Sequence, residues 1–390
     1  MREHRLEVAN VFRTYEKEFF AQWGHVLGAH QRKAFAAIRD CRTAVLGGHV
    51  EYVEQCDTCG YRSICYNSCR NRHCPKCQAV ARAKWLAERE AELLPVPYFH
   101  VVFTLPRQIG NLALQNAREI YRILFRAASE TLLTIAADPK RLGAEIGFLA
   151  VLHTWGQNLH LHLHLHCVVP GGGIRPDGLR WIECKKPSFF LPGKVLSSRF
   201  RRLFLTYLSE SFRKGRLNFH GDMARLAQPA TFEALCQQAR RIPWVVFVKA
   251  PFGGPEQVLK YLARYIHRVA ISNRRLLSME DGLVNFEYKD YAGRNQTKVM
   301  TLAAAEFIRR FLLHILPSGF VRIQQFGFLA NRARAKKLAL CRTLLSAPAP
   351  HKVTKEKLGE HERKLCPACK IGHLLLVRLI PRPRAGLDSS

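Results

Sequence analysis

Acidic residues are scarce in this chain. Only 30 Asp and Glu stand against 61 Lys and Arg over 390 residues, so the formal net charge is +31. Counterion release from such charge supplies most of a nucleic-acid-binding protein's non-specific affinity. An acidic protein or a membrane surface would also answer it. The charge is not confined to one tail or one amphipathic helix, which favours a nucleic-acid groove. Long apolar runs are missing too. Stretches such as WVVFV at 244–248 are far too short to span a bilayer. The N-terminal stretch MREHRLEVANVFRTYEKEFFAQWG carries charges throughout and lacks the apolar core of a secretory signal. The expectation is an intracellular, cytoplasmic protein with no membrane partner. Its 13 cysteines then read as thiols or metal ligands rather than disulfides. No internal repeat is evident. With 48% hydrophobic residues the chain can bury cores in two or three domains.

What is present in abundance is histidine in one place. Residues 160–166 read HLHLHLH. Alternate side chains of a strand share a face, so His160, His162, His164 and His166 line one side and Leu161, Leu163 and Leu165 the other. The leucine face fits a packed sheet. The imidazole face fits a metal, since neutral imidazole is the commonest protein metal ligand. A half-exposed strand that happens to use histidine is the bland alternative, and four in register weigh against it.

Six cysteines cluster in CDTCGYRSICYNSCRNRHCPKC, residues 56–77. Cys56-x2-Cys59 and Cys74-x2-Cys77 have knuckle spacing, and together they predict one tetrahedral zinc site. Cys65, Cys69 and His73 are surplus donors, and Cys69 or His73 could replace a member. Arg62, Arg70, Arg72 and Lys76 beside them suggest contact with phosphates. A further pair, Cys366 and Cys369, is half a site, flanked by His361 and His373, with Cys341 distant.

Apolar spacing predicts helices through residues 1–48, over 79–94, 111–137, 196–215, 230–241, 255–270 and 303–316. Strands are predicted at 97–106, 147–155, 160–166 and 244–251, and a hairpin at 278–290 turning on Asp281-Gly282. Residues 331–364 read as a basic tail, extended or helical. Strands and helices are mixed without regular crossover helices, so the class is α+β with a largely antiparallel sheet.

On the helix 255–270, Tyr261 and Tyr265 are i and i+4 and share a face, with Arg264 and Arg268 on or beside it. Spacing alone reads as an aromatic stripe packed on the sheet. The chemical reading is two phenols held near a phosphate that the guanidiniums grip bidentately. A phenol of pKa ~10 needs such cations or a metal to attack.

A histidine-hydrophobe-histidine strand followed by a Tyr-x3-Tyr helix resembles the HUH endonucleases. More closely, the chain resembles the two-tyrosine rolling-circle transposases of bacterial insertion sequences. The segments LGGHVEYVEQCDTCG, SCRNRHCPKCQ, FTLP, HTWGQNLHLHLHLHCVVPGGG and YLARYIHRVAISNRRL carry the match, in the family's order through nearly the whole chain. The resemblance implies an N-terminal zinc-binding domain and a catalytic domain with an RRM-like antiparallel sheet. It puts the HUH pair on His164 and His166, a further family histidine on His162, and the nucleophiles on Tyr261 and Tyr265. The family usually has proline where Leu163 stands. It also implies Mg²⁺ or Mn²⁺ at the histidines, single-stranded DNA at the element ends as partner, and a 5′-phosphotyrosine intermediate. His162, His153 and Gln157 are the candidates for a third ligand, as is an acid from elsewhere. The domains expected are 1–95 helical and zinc-binding, 96–325 catalytic, and 326–390 a basic tail with the CPAC knuckle. Two rivals are a zinc-dependent DNA-binding regulator without chemistry and a zinc hydrolase that activates water.

Overall fold

The computed structural model describes residues 6–46, 51–77, 92–186, 190–252, 257, 269–290, 296–348, 365–366 and 368–380. The helix expected over 79–94 lies almost wholly outside them, and that over 255–270 largely so. The chain divides into two units, neither of them continuous. One comprises Met1–Lys84, His267–Ile315 and Lys352–Ser390, the other Trp85–Ile266 and Leu316–His351. This differs from the three successive segments expected. The reason is strand pairing: residues near the C-terminus complete a sheet begun near residue 51.

The second unit is built on five strands: β1 (Tyr98–Thr104), β2 (Gly147–Trp155), β3 (Leu161–Pro170), β4 (Val246–Phe252) and β5 (Ile323–Gly327). Their order is β5-β2-β3-β1-β4, and every neighbouring pair is antiparallel. The class is α+β, as expected. Three helices follow from amphipathic runs: α1 (Ala113–Ala137), α2 (Gly193–Arg213) and α3 (Pro229–Arg241), the last opening on a proline at its first turn. Strand alternation decides what each sheet face does. Leu163, Leu165, Cys167 and Val169 of β3 join Phe99, Val101 and Phe103 of β1 and Phe148, Ala150 and Leu152 of β2 in the main core. Ile120, Leu124 and Leu132 of α1 and Leu196, Phe200 and Phe204 of α2 complete it. Phe103 meets Phe200 edge-on, with ring centroids 4.9 Å apart. Truncating either to alanine would cost about 3–5 kcal/mol.

The opposite face is mixed. At one end Tyr98, Leu149, Val151 and Val168 pack under Phe328 and under Leu338 and Cys341 of the helix Arg334–Leu344. That helix falls in the stretch read as a basic tail. Towards the other end of β3 the same face changes from Val168 to His166 and His164. β5 had no strand signal in the sequence; its face is only half-buried.

In the first unit, Val8–Thr14, Glu16–Trp23, Ala29–Arg39 and Ala304–Leu312 are helices. They bury a phenylalanine stack: Phe12 lies 4.7 Å from Phe35 and 5.4 Å from Phe311 between centroids. The expected hairpin is present and has a third strand, giving Leu276–Glu280, Leu283–Asp290 and Gln296–Ala303. Asp281 and Gly282 both have positive φ, at 49° and 76°, as a two-residue hairpin turn requires. A separate antiparallel sheet joins Leu374–Ile380, Glu51–Cys56 and Arg62–Cys65 in that order.

Candidate active site and cysteine centres

The imidazoles meet at the open end of the sheet face. β2 and β3 pair so that His153 stands opposite His164, and Val151 opposite His166. One ring nitrogen from each of His153, His164 and His166 lies within 4.8 Å of the others. His153 and His166 are buried, and His164 is half-buried. His162, expected beside the pair, lies at the exposed rim with its ring 4.9 Å from that of His164. The cross-strand His153, also a candidate for the third ligand, is the ring that clusters with the pair. His160 is exposed and precedes the strand.

Hydrogen bonds orient these rings. Nδ1 of His164 is 2.8 Å from the carbonyl oxygen of His162. A carbonyl only accepts, so Nδ1 carries the proton and Nε2 keeps its lone pair. Nδ1 of His166 is 2.8 Å from Nε2 of His100, whose ring stacks on it. Burial, then the Lys249 charge, pushes His100 down to about 3, so it is neutral and can accept. His100 was not anticipated; its signal was its place two residues before Val102, which pairs with His166. His153 stacks on Trp155, whose other contacts include Arg322, with the guanidinium carbon 5.1 Å from the ring centre. Three imidazoles, two with their second nitrogen engaged, form a donor set that fits a divalent cation.

Tyr261, Tyr265, Arg264 and Arg268 lie outside the described residues. A basic groove of about 800 Å³ runs along Ile135 of α1, Lys194, Arg199, Arg201 and Arg202 of α2, and Arg240 of α3. It is on the helical side of the sheet, opposite the histidines.

Among the described residues the cysteines form two clusters rather than one. Cys56 and Cys59 are not brought together with Cys74 and Cys77, so the single site expected of those four is corrected. Cys41, Cys69, Cys74 and Cys77 form the first cluster. Sγ of Cys77 is 3.6 Å from that of Cys41 and 3.5 Å from that of Cys69. A tetrahedral Zn–S length of about 2.3 Å sets sulfur–sulfur edges near ~3.8 Å, so the spacing fits. Thiol hydrogen bonds from Cys41 and then Cys69 hold Cys77 well below the usual thiol range, while its neighbours push Cys69 up. Cys69 was named as an alternate. Cys41 was missed, because a lone cysteine on the far side of a strand pair has no local motif. His73 is not among the donors; its amide binds Asn71 Oδ1. Cys56, Cys59, Cys366 and Cys369 form the second cluster. The half-site near the C-terminus thus meets the first knuckle, across more than three hundred residues.

A family profile described as "Putative transposase" matches residues 147–337, which contain His153, His164, His166, Tyr261 and Tyr265. A second, "Transposase zinc-binding domain", matches residues 11–105. "Putative transposase y4qJ" of Sinorhizobium fredii (strain NBRC 101917 / NGR234) is 55% identical over 383 residues, covering 96% of this chain and 95% of that one. This chain belongs to the two-tyrosine transposases of bacterial insertion sequences. The transposase is also 30% identical, over 294 residues, to the "Transposase for insertion sequence element IS801" of Pseudomonas savastanoi pv. phaseolicola, covering 75% of this chain and 68% of that one. A solved conjugative relaxase, TrwC in complex with OriT DNA, aligns over 64% of the transposase and 72% of its own chain, at 14% identity and a TM-score of 0.23. Among the described residues no helix is long and apolar enough to cross a membrane.

Proposed function

We propose that this transposase nicks and rejoins single-stranded DNA at the ends of its element through a 5′-phosphotyrosine, working in the cytoplasm. The supporting observation is the cluster of His153, His164 and His166 on the open end of the two neighbouring strands β2 and β3. The strand order, with β3 and β1 inside, is that of an RRM-like sheet with one added edge strand, which suits an HUH core. His164 and His166 present Nε2, held by the His162 carbonyl and by His100, and His153 supplies the third nitrogen. A divalent cation bound there would polarise a non-bridging oxygen of the scissile phosphate. Of Mg²⁺ and Mn²⁺, the nitrogen donors favour Mn²⁺.

The phenol oxygen of Tyr261 or Tyr265 attacks phosphorus in line, and the bond to the 3′-oxygen breaks. The phenolic proton is lost to water and the leaving 3′-oxygen takes one up. Arg264 and Arg268 grip the phosphate. One phosphodiester replaces another, so a 3′-hydroxyl can reverse the step without ATP. A second tyrosine lets another strand be cut while the first is held. A denaturing gel tests this. Labelled single-stranded end DNA with Mn²⁺ should give a protein–DNA adduct that survives denaturation and carries label only from the 5′-phosphate side. Cleavage without any adduct would favour a hydrolase, and binding without cleavage a regulator.

Within the zinc-binding domain we assign Zn²⁺ to Cys41, Cys69, Cys74 and Cys77. Binding energy at such a site is folding energy. Cys74→Ser should therefore lose one zinc ion and expose residues around 41–77 to protease, as followed by limited digestion with mass spectrometry. Unchanged digestion and zinc content would reject this ligand set.

A further inference from the structure

We propose a second, structural zinc centre, held by Cys56, Cys59, Cys366 and Cys369. Cys366 and Cys369 lie outside both matched stretches, 11–105 and 147–337, so neither family match accounts for them. Four observations carry the assignment. All four sulfurs fall within 4.8 Å of one another. Cys56 is 3.6 Å from Cys369, and Cys59 is 3.6 Å from Cys366. Those distances are far beyond a disulfide bond of about 2.05 Å and close to a tetrahedral zinc edge. The donors come as two C-x2-C knuckles, each carrying its own backbone support. The amides of Thr58 and Cys59 donate to Cys56 Sγ at 3.4 Å, and that of Gly372 donates to Cys369 Sγ at 3.4 Å.

The two knuckles are also locked together around the sulfurs. Asp57 accepts the His373 amide through Oδ1 at 2.8 Å, and its own amide donates to the His373 carbonyl at 3.1 Å. The Cys366 amide donates to the Gly372 carbonyl at 2.7 Å. A Cβ on Gly372 would stand 2.6 Å from Cys56 Sγ and closer still to Thr58 Oγ1, so a larger residue would have to push the first knuckle aside. Pairing then continues from Cys56 opposite Leu374 along the strand Leu374–Ile380, with a register shift between Val53 and Glu54. The metal would fasten that strand to Glu51–Cys56 and so anchor the C-terminal segment in the zinc-binding sheet. Zn²⁺ is the cation of choice because four thiolates in tetrahedral array suit it and it needs no redox partner.

Metal analysis of the full-length protein decides the matter. Cys366→Ser with Cys369→Ser should lose one zinc ion per chain relative to wild type. Cys69→Ser with Cys74→Ser should lose a different one, and the losses should add. A Cys366/Cys369 variant with the wild-type zinc content overturns the proposal, as does iron in place of zinc. Should that variant fold poorly, differential alkylation of the wild type serves instead. Cys59 is exposed, so burial cannot protect it. Its thiol, with Cys366 and Cys369, should resist alkylation until a zinc chelator is added, then react fully. Labelling of Cys59 without chelator, or recovery of Cys56–Cys369 as a disulfide, overturns the site.

Discussion

His164→Ala or His166→Ala is expected to lower strand cleavage by about 10³-fold or more, with single-stranded DNA binding changed by no more than a few fold. A cation held there would stabilise transition-state charge by several kcal/mol, and each 1.36 kcal/mol is about tenfold in rate. Binding draws on a different source. The formal charge of +31 is spread along the chain, and the groove lined by Lys194, Arg199, Arg201, Arg202 and Arg240 lies on the opposite face from the histidines. Losing one imidazole leaves that counterion contribution intact. His153→Ala should fall in the same class, whereas His162→Ala, at the exposed rim, should cost far less. Single-turnover cleavage and a binding titration at fixed salt measure the two effects separately. Equal loss of binding and cleavage would mean that these histidines hold the fold rather than the phosphate.

Tyr261→Phe together with Tyr265→Phe is expected to abolish the covalent adduct completely. Phenylalanine keeps the ring and removes only the phenol oxygen, so folding and DNA binding should persist. Each single variant should still nick and form an adduct through the remaining phenol, while complete transposition fails for want of the second cut. An adduct from the double variant would assign the nucleophile to another residue. A single variant as inactive as the double would assign all the chemistry to one tyrosine.

The sequence disclosed local chemistry better than distant pairing. The HLHLHLH alternation showed which leucines enter the core, and Leu163 and Leu165 are both buried there. Its register was silent, because cross-strand partners depend on the loop at 156–160. His153 was therefore one candidate beside His162 and Gln157 until pairing set it opposite His164. The cysteine knuckles were recognisable by spacing, but grouping them by nearness in the chain was misleading. Cys56 and Cys59 join Cys366 and Cys369 because the strand Leu374–Ile380 pairs with Glu51–Cys56, a contact no local pattern encodes. β5, reading IQQFG, lacks the β-branched and aromatic density that marks strands, and it forms by adding to the free edge of β2. The Asp281-Gly282 turn was legible because its conformation is a property of those two residues.

The discontinuous units have a consequence for synthesis. A chain leaving the ribosome exposes β2 as a bare sheet edge until residues 323–327 emerge, and Glu51–Cys56 waits longer still for 374–380. Unpaired edges of this kind are templates for wrong partners. Neither unit can reach its finished form from an early-terminated message. A copy of the gene broken just upstream of residue 323 would yield a polypeptide in which each of these two sheets lacks one strand.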